Sequence, residues 1–346
     1  MGLIEAAWLR GALSLFRQEF SGILYRFKIL PLDGWRDLFK GQGSKQEAEK
    51  MNYKFLLDPM RLPFLVLTPA CVLLGLGTAI WTGGTVNWFH FALVLIGAVA
   101  AHISVNAFNE YFDGQSGLDA LTRRTPFSGG SGRLQQSPEL SRPTLIMAWL
   151  FLGLVGAVGL YFAAVVGWAI LPLGLLGLLI IYFYTTWITR FPLLCLVAPG
   201  LGFGTLMVMG TDFALTGSYT WTSFAASLIP FFLVSNLLLL NQFPDLEADR
   251  QVGRKHYPIQ IGRVKSSRIY LGFLVMPFVV ILLGVSLGIF PLTGLAGLLG
   301  LVLAVPIFSG VLRHADAVES LLPTLGNNVL VNILVPVLLA LGLLIV

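Results

Sequence analysis

The sequence predicts an all-α, polytopic membrane protein with nine transmembrane helices. Three observations lead there. Hydrophobic residues make up 56% of the 346 residues and charged residues only 11%, whereas a soluble domain carries about a quarter charged residues. The apolar residues gather into nine stretches of roughly the 20 residues that cross a bilayer: 62–82, 88–108, 144–164, 166–186, 193–211, 222–242, 268–289, 292–312 and 324–345. Finally, all 22 Lys and Arg residues fall on one side of a nine-span arrangement.

The chain before the first span is expected to be an extension, residues 1–57. Leu9, Leu13, Phe16, Phe20, Leu24 and Phe27 recur at three- and four-residue spacing, with Arg10, Arg17, Arg26 and Lys28 off that stripe. This is the pattern of a basic amphipathic helix lying on the inner leaflet. A polar linker, Gly41–Lys50, follows. No short apolar stretch with a small-residue cleavage site is visible, so the first span is expected to act as an uncleaved signal anchor. Residues 58–346 are expected to form the transmembrane domain. Cys71 and Cys195 lie in apolar runs, where buried small hydrophobes are the expectation.

The charges set the orientation. Lys and Arg precede span one and follow spans two, four, six and eight, while the loops near Gly83–Asn87, Thr211–Thr220 and Phe290–Pro291 hold none. Positive residues stay cytoplasmic, which puts the N-terminus inside and Val346 outside, in the cell's inner (plasma) membrane. The net charge of +5 is thus topological; no basic face alternates with aromatics, so nucleic acid is not an expected partner. Of the 17 acidic residues only Asp212 faces out. Carboxylates clustered beside Arg and Lys call for a cation and an anion bound together.

Two segments concentrate that chemistry. Asn106, Asn109, Glu110, Asp113 and Asp119 close span two; Asn241, Asp245 and Asp249, followed by Arg254 and Lys255, close span six. Asn106, Asn109 and Asp113 share a helix face, as do Asn241, Asp245 and Asp249. Gly114 and Gly117 are expected to loosen the first helix so that Asp119 reaches back from a loop. Carboxylate and amide oxygens are hard ligands. Mg²⁺ commonly takes one or two carboxylates plus phosphate oxygens, and Arg or Lys beside it contacts phosphate. The expected site is one Mg²⁺–diphosphate centre facing the cytoplasm.

At these residues the chain resembles the UbiA superfamily of intramembrane prenyltransferases. The match is to an Asn-Asp-x-x-Asp motif with a further Asp and to an Asp-x-x-x-Asp motif. The segment Asn241–Lys255 and Gly117–Asp119 look most like the branch that prenylates 1,4-dihydroxy-2-naphthoate for menaquinone. The resemblance implies nine helices around a central cavity, Mg²⁺ as cofactor, a polyprenyl diphosphate as donor and a small aromatic acceptor, with the donor's tail in a tunnel open to membrane lipid. It implies that Asn109, Asp113, Asp119, Asp245 and Asp249 hold metal, and that Asn109, Asp113, Asp245 and Asp249 carry the reaction. Arg123, Arg124, Arg254 and Lys255 become diphosphate candidates, and Asn106 and Asn241 orient the site.

Three departures from that pattern stand out. Glu110 replaces the usual Asp and is expected to act on Mg²⁺ through water. Ile188 stands where relatives carry a Lys four residues after Tyr184, leaving Arg190 as the candidate replacement. Thr125–Gly132 is rich in Gly and Ser and is expected to cover the diphosphate with backbone N–H groups. Tyr182 and Tyr184 approach the inner surface and are the candidates to face the tail or acceptor. His90 is expected to be structural and His102 to stand at the cavity wall. The acceptor stays open: 4-hydroxybenzoate, a lipid headgroup and a sugar phosphate are alternatives, as is a non-catalytic protein that binds or transports prenyl lipid.

Overall fold

The computed structural model describes residues 57–122 and 130–345. Among them, nine helices are long and apolar enough to cross a membrane: α1 (Asp58–Trp81), α2 (Trp88–Ser116), α3 (Pro138–Val165), α4 (Trp168–Thr186), α5 (Pro192–Thr216), α6 (Trp221–Gln251), α7 (Arg263–Ser286), α8 (Leu292–His314) and α9 (Val318–Leu344). No strand occurs among the described residues, as expected where lipid cannot satisfy an open sheet edge. The amphipathic pattern of residues 1–56 lies outside the described residues. Helix starts follow local chemistry. Asn87 caps α2 by accepting from the N–H groups of Phe89 (3.0 Å) and His90 (3.2 Å); Thr220 caps α6 by accepting from Ser223 N–H at 3.0 Å.

α6 is the central helix, with 67% of its apolar window buried, against 11% for α3 and for α4, which face lipid. One core joins α1, α6, α7, α8 and α9 through Leu74, Leu233, Phe243, Tyr270, Ile307 and Val335. Smaller cores tie α2, α3, α4 and α5 around Phe108, Ile181, Phe162 and Phe213. α5 meets α6 backbone to backbone: a Cβ on Gly200 or Gly204 would collide with Phe231 main-chain atoms, the small-xxx-small contact that replaces hydrophobic burial in a bilayer. After Pro199 the helix widens into a π-turn, Leu201–Leu206. At the end of the bundle opposite the two motifs, Asp212 is fully buried and accepts from Thr78 Oγ1 (2.9 Å, α1) and Thr220 Oγ1 (3.1 Å, the cap of α6), linking α1, α5 and α6. His90 is structural, beside Tyr161 Oη at 3.3 Å, and both cysteines are buried and free.

Candidate active site

Between the cores lies a cavity of about 920 Å³, lined by α1, α2, α3, α4, α5, α6 and α9. Along α2 its lining runs from Val94 to Asn109, about 22 Å at 1.5 Å per residue, most of the hydrocarbon thickness. The wall is almost wholly apolar. Its polar groups include Arg61, Asn106, Asn109, Tyr184 and Asn241 at the motif end, with His102 a little deeper. His102 Nδ1 lies 2.8 Å from Thr68 Oγ1. Asn106 donates to Met60 O at 3.0 Å. The Asn241 Oδ1 is buried without a hydrogen-bond partner. Tyr182, by contrast, meets Phe108 edge-on and Trp149 at a tilt, and does not line the cavity.

The first motif sits on unbroken helix. α2 continues past the span read from hydropathy, and Gly114 stays helical. The chain turns at Gly117, whose φ of 75° forms the left-handed cap. Asp119 therefore does not lie in a loop: it sits buried in the short helix Leu118–Leu121. The second motif likewise stays helical through Pro244 to Gln251. Gly253 then takes φ 81°, and the chain folds back so that Arg254 N–H donates to Asp249 O at 3.1 Å. That turn places a cation at the C-terminal end of α6, where the helix dipole favours it.

Arg254 joins the two motifs. One guanidinium nitrogen donates to Asp249 Oδ1 at 2.8 Å, and the other to Asp113 Oδ1. Burial by itself would lower its pKa; Asp113 and Asp249 overcome that and hold it well above the ordinary Arg value. The second oxygen of Asp249 faces His256 Nε2 at 2.8 Å. The second oxygen of Asp113 accepts from Asn109 Nδ2 at 2.9 Å, which also donates to Thr185 Oγ1 at 3.2 Å on α4. Asp245 is one turn before Asp249 on α6. Lys255 and Arg190 line a separate hollow of about 520 Å³ with Trp187 and Phe191. Arg123 and Arg124, with most of the Thr125–Gly132 segment, lie outside the described residues.

Three neighbours escape a reading of the motifs. Arg61 lines the cavity and lies 3.4 Å from Glu110; in sequence it is one more positive residue before a span. Thr185 and His256 reach the motif side chains from other elements, and no spacing announces them; Ser131, in the Gly- and Ser-rich segment expected to cover the diphosphate, turns its N–H to the Glu110 carboxylate. Among the described residues no three of His, Cys, Asp and Glu gather into a closed metal cage. That agrees with the habit of Mg²⁺, which takes one or two carboxylates and completes its shell with phosphate and water. The Asp113–Asp249 pair around Arg254, and the orphaned Asn241 oxygen two turns earlier on α6, supply the hard oxygen donors such an ion takes.

Residues 68–322 match the UbiA prenyltransferase family; the chain belongs to that family and is a multi-pass membrane prenyltransferase. It is 27% identical over 229 residues to the 1,4-dihydroxy-2-naphthoate octaprenyltransferase of Bacillus subtilis (strain 168), covering 64% of this chain and 71% of the relative. It is likewise 27% identical over 227 residues to the Mycobacterium leprae (strain TN) enzyme of the same name, covering 63% of this chain and 71% of the relative. Among solved structures, digeranylgeranylglyceryl phosphate synthase superposes with a TM-score of 0.62 at 15% identity, over 85% of this chain and 99% of that one. A UbiA homolog from Archaeoglobus fulgidus bound to DMAPP and Mg²⁺ superposes with 0.53 at 16% identity, over 82% and 98%. These likenesses place the helices on a common fold.

Proposed function

We propose that this prenyltransferase uses Mg²⁺ to move a polyprenyl group from a polyprenyl diphosphate onto 1,4-dihydroxy-2-naphthoate or a related quinone precursor, at the cytoplasmic face of the cell's inner membrane. The observation that carries this is the convergence of Asp113 and Asp249, from two different helices, on a single cation one hydrogen bond beyond Asn109, which lines the polar end of a long apolar cavity. Asp113, Asp119, Asp245 and Asp249, with Asn109, would hold Mg²⁺, which when bound neutralises charge on a leaving diphosphate. Arg254 offers a bidentate fork to phosphate oxygens, with Lys255, Arg190, Arg123 and Arg124 as further cationic candidates. Asn241 and Asn106 orient the polar end. The apolar wall receives the tail and keeps water from a reacting allylic carbon. Arg61, the cation lining the cavity, suits an acceptor that carries a carboxylate. The division into an extension, 1–57, and a transferase domain, 58–346, and the placement of Tyr184 against the tail or acceptor belong to the same reading.

The test is transfer by membranes carrying the full chain, scored by mass, with a polyprenyl diphosphate and either 1,4-dihydroxy-2-naphthoate or 4-hydroxybenzoate. Asp113→Asn and Asp249→Asn are each expected to lower transfer by ~100-fold, the upper end of what losing even the outer partners of a metal site costs. Full activity in either variant would overturn the metal reading. Preference for 4-hydroxybenzoate would overturn the acceptor.

A further inference from the structure

Glu110 lies between Asn109 and Asp113 in the first motif, yet its carboxylate is turned to other partners. The side chain is wholly buried. Ser131 N–H lies 3.2 Å from Oε1 and 3.1 Å from Oε2, and Ser131 Oγ–H donates to Oε1. Arg61 Nη2 lies 3.4 Å from Oε2. Ser131 belongs to the connection that returns to α3; Arg61 belongs to the first turn of α1. One carboxylate therefore ties three separated pieces of chain together at the polar end of the cavity.

The surroundings depend on that tie. Ser131 Oγ accepts from Arg133 N–H at 3.1 Å, and Arg133 Nε reaches Asp58 Oδ2 at 2.5 Å, a second link from the same connection to the start of α1. Gly130 has φ 63°, and a Cβ there would lie 2.5 Å from Asp119 Oδ1. The connection is thus wedged between Glu110 and Asp119. Arg61 is the sole non-glycine at positive φ among the described residues, at 52°. That backbone is strained for a residue that carries a Cβ and persists only where surroundings enforce it. The contact of the Glu110 carboxylate with Arg61 Nη2 is one such constraint. An Asp, one methylene shorter, would not span from α2 to both partners.

We propose that Glu110 is a positioning residue: it clasps Ser131 and Arg61 and so sets Arg61 and Asp119 at the polar end, rather than binding Mg²⁺ itself. This rests on the reading of Asp113 and Asp249 as the diphosphate site. The two roles order the variants oppositely. A ligand tolerates Glu110→Asp, which keeps a hard carboxylate, and suffers in Glu110→Gln. A clasp suffers most in Glu110→Asp, which is too short for either partner, and less in Glu110→Gln, whose carbonyl still accepts from Ser131 while the ion pair to Arg61 is lost.

The experiment uses the full chain in detergent, with thermal unfolding, substrate KM values, kcat and the Mg²⁺ concentration for half-maximal rate measured for each variant. Glu110→Asp is expected to lose ~10–100-fold in kcat/KM, the range for residues supporting a site, mainly through KM. Glu110→Gln is expected to lose less than that, with an unchanged Mg²⁺ requirement. Ser131→Ala removes one hydroxyl and leaves folding intact; its loss should fail to add to that of Glu110→Asp in the double variant. Near wild-type Glu110→Asp with a raised Mg²⁺ requirement in Glu110→Gln would overturn the clasp. So would wild-type KM values in Ser131→Ala, even if the Glu110 variants do not fold. Asp113→Asn run alongside separates the two readings: if it keeps activity the site itself is wrong, whereas if it loses activity and Glu110→Asp does not, only the clasp is wrong.

Discussion

Arg254 is the residue whose neighbourhood says most about the site. Its guanidinium is only 18% exposed and bridges two carboxylates from different helices. Removing one member of a buried ion pair costs about 3–5 kcal/mol because the remaining charge is left uncompensated. Arg254→Gln strands Asp113 and Asp249 opposite each other. We expect a large fall in the unfolding temperature without Mg²⁺ and partial recovery when Mg²⁺ and diphosphate are added; no recovery would count against metal binding at these acids. The pH dependence has a definite sign. The folded-state pKa of Arg254 is raised, so the stability it contributes is fully present below the unfolded Arg value and is lost only as pH rises through the still higher folded one. An alkaline fall in stability between about pH 8 and 10, well below the ordinary Arg range, must therefore come from other groups, and Arg254→Gln should leave its midpoint unmoved.

At the scale of helices, glycines do two opposite things. Gly200 and Gly204 have no room for a side chain because α6 backbone lies against them. Gly156 on α3, Gly174 on α4 and Gly202 on α5 line the cavity, and a Cβ there meets nothing within 4 Å. A helix-interior glycine costs about 1 kcal/mol relative to Ala, so these three carry a cost with no packing return. Their missing side chains widen the cavity instead. Gly156→Leu is expected to depress transfer from long polyprenyl diphosphates several-fold while sparing geranyl diphosphate, read as a ratio of kcat/KM values; an unchanged ratio would take the tail out of this cavity. Gly156→Ala should instead raise thermal stability slightly. Both motif helices also run beyond the apolar stretches that announced them, which is why Asn109 and Asp113, and Asn241 and Asp249, keep helical register at the membrane edge.

For the whole molecule, the charge asymmetry carries a topological expectation. Cys71 and Cys195 are buried, so cysteines added at the surface can be labelled singly. Ser218→Cys, in the α5–α6 connection, is expected to react with a membrane-impermeant thiol reagent added outside intact cells. Gln136→Cys, in the α2–α3 connection, should react only after the membrane is opened. The reverse pattern would invert the orientation and put the acidic motifs outside. Asp212, the single acid expected on the outer side, is a structural group, buried and held by hydroxyls of α1 and the α5–α6 connection.

The sequence by itself determined the nine spans and the two helical stripes of Asn and Asp, because hydropathy and helical spacing are local properties that survive without knowledge of neighbours. It also marked Glu110 and Ile188 as departures. Tertiary structure alone decided that Arg254 bridges Asp113 and Asp249, that Lys255 and Arg190 line a different hollow, and that Asp119 is buried in its own short helix after a left-handed turn at Gly117. It alone brought Arg61, Ser131, Thr185 and His256 to the motif side chains. Those contacts join residues from separate helices and connections, and only packing determines which side chains meet across such distances in the chain. Glu110 shows the division most plainly: its identity reads as a small change to a metal motif, while its partners, 21 and 49 residues away, give it a different task.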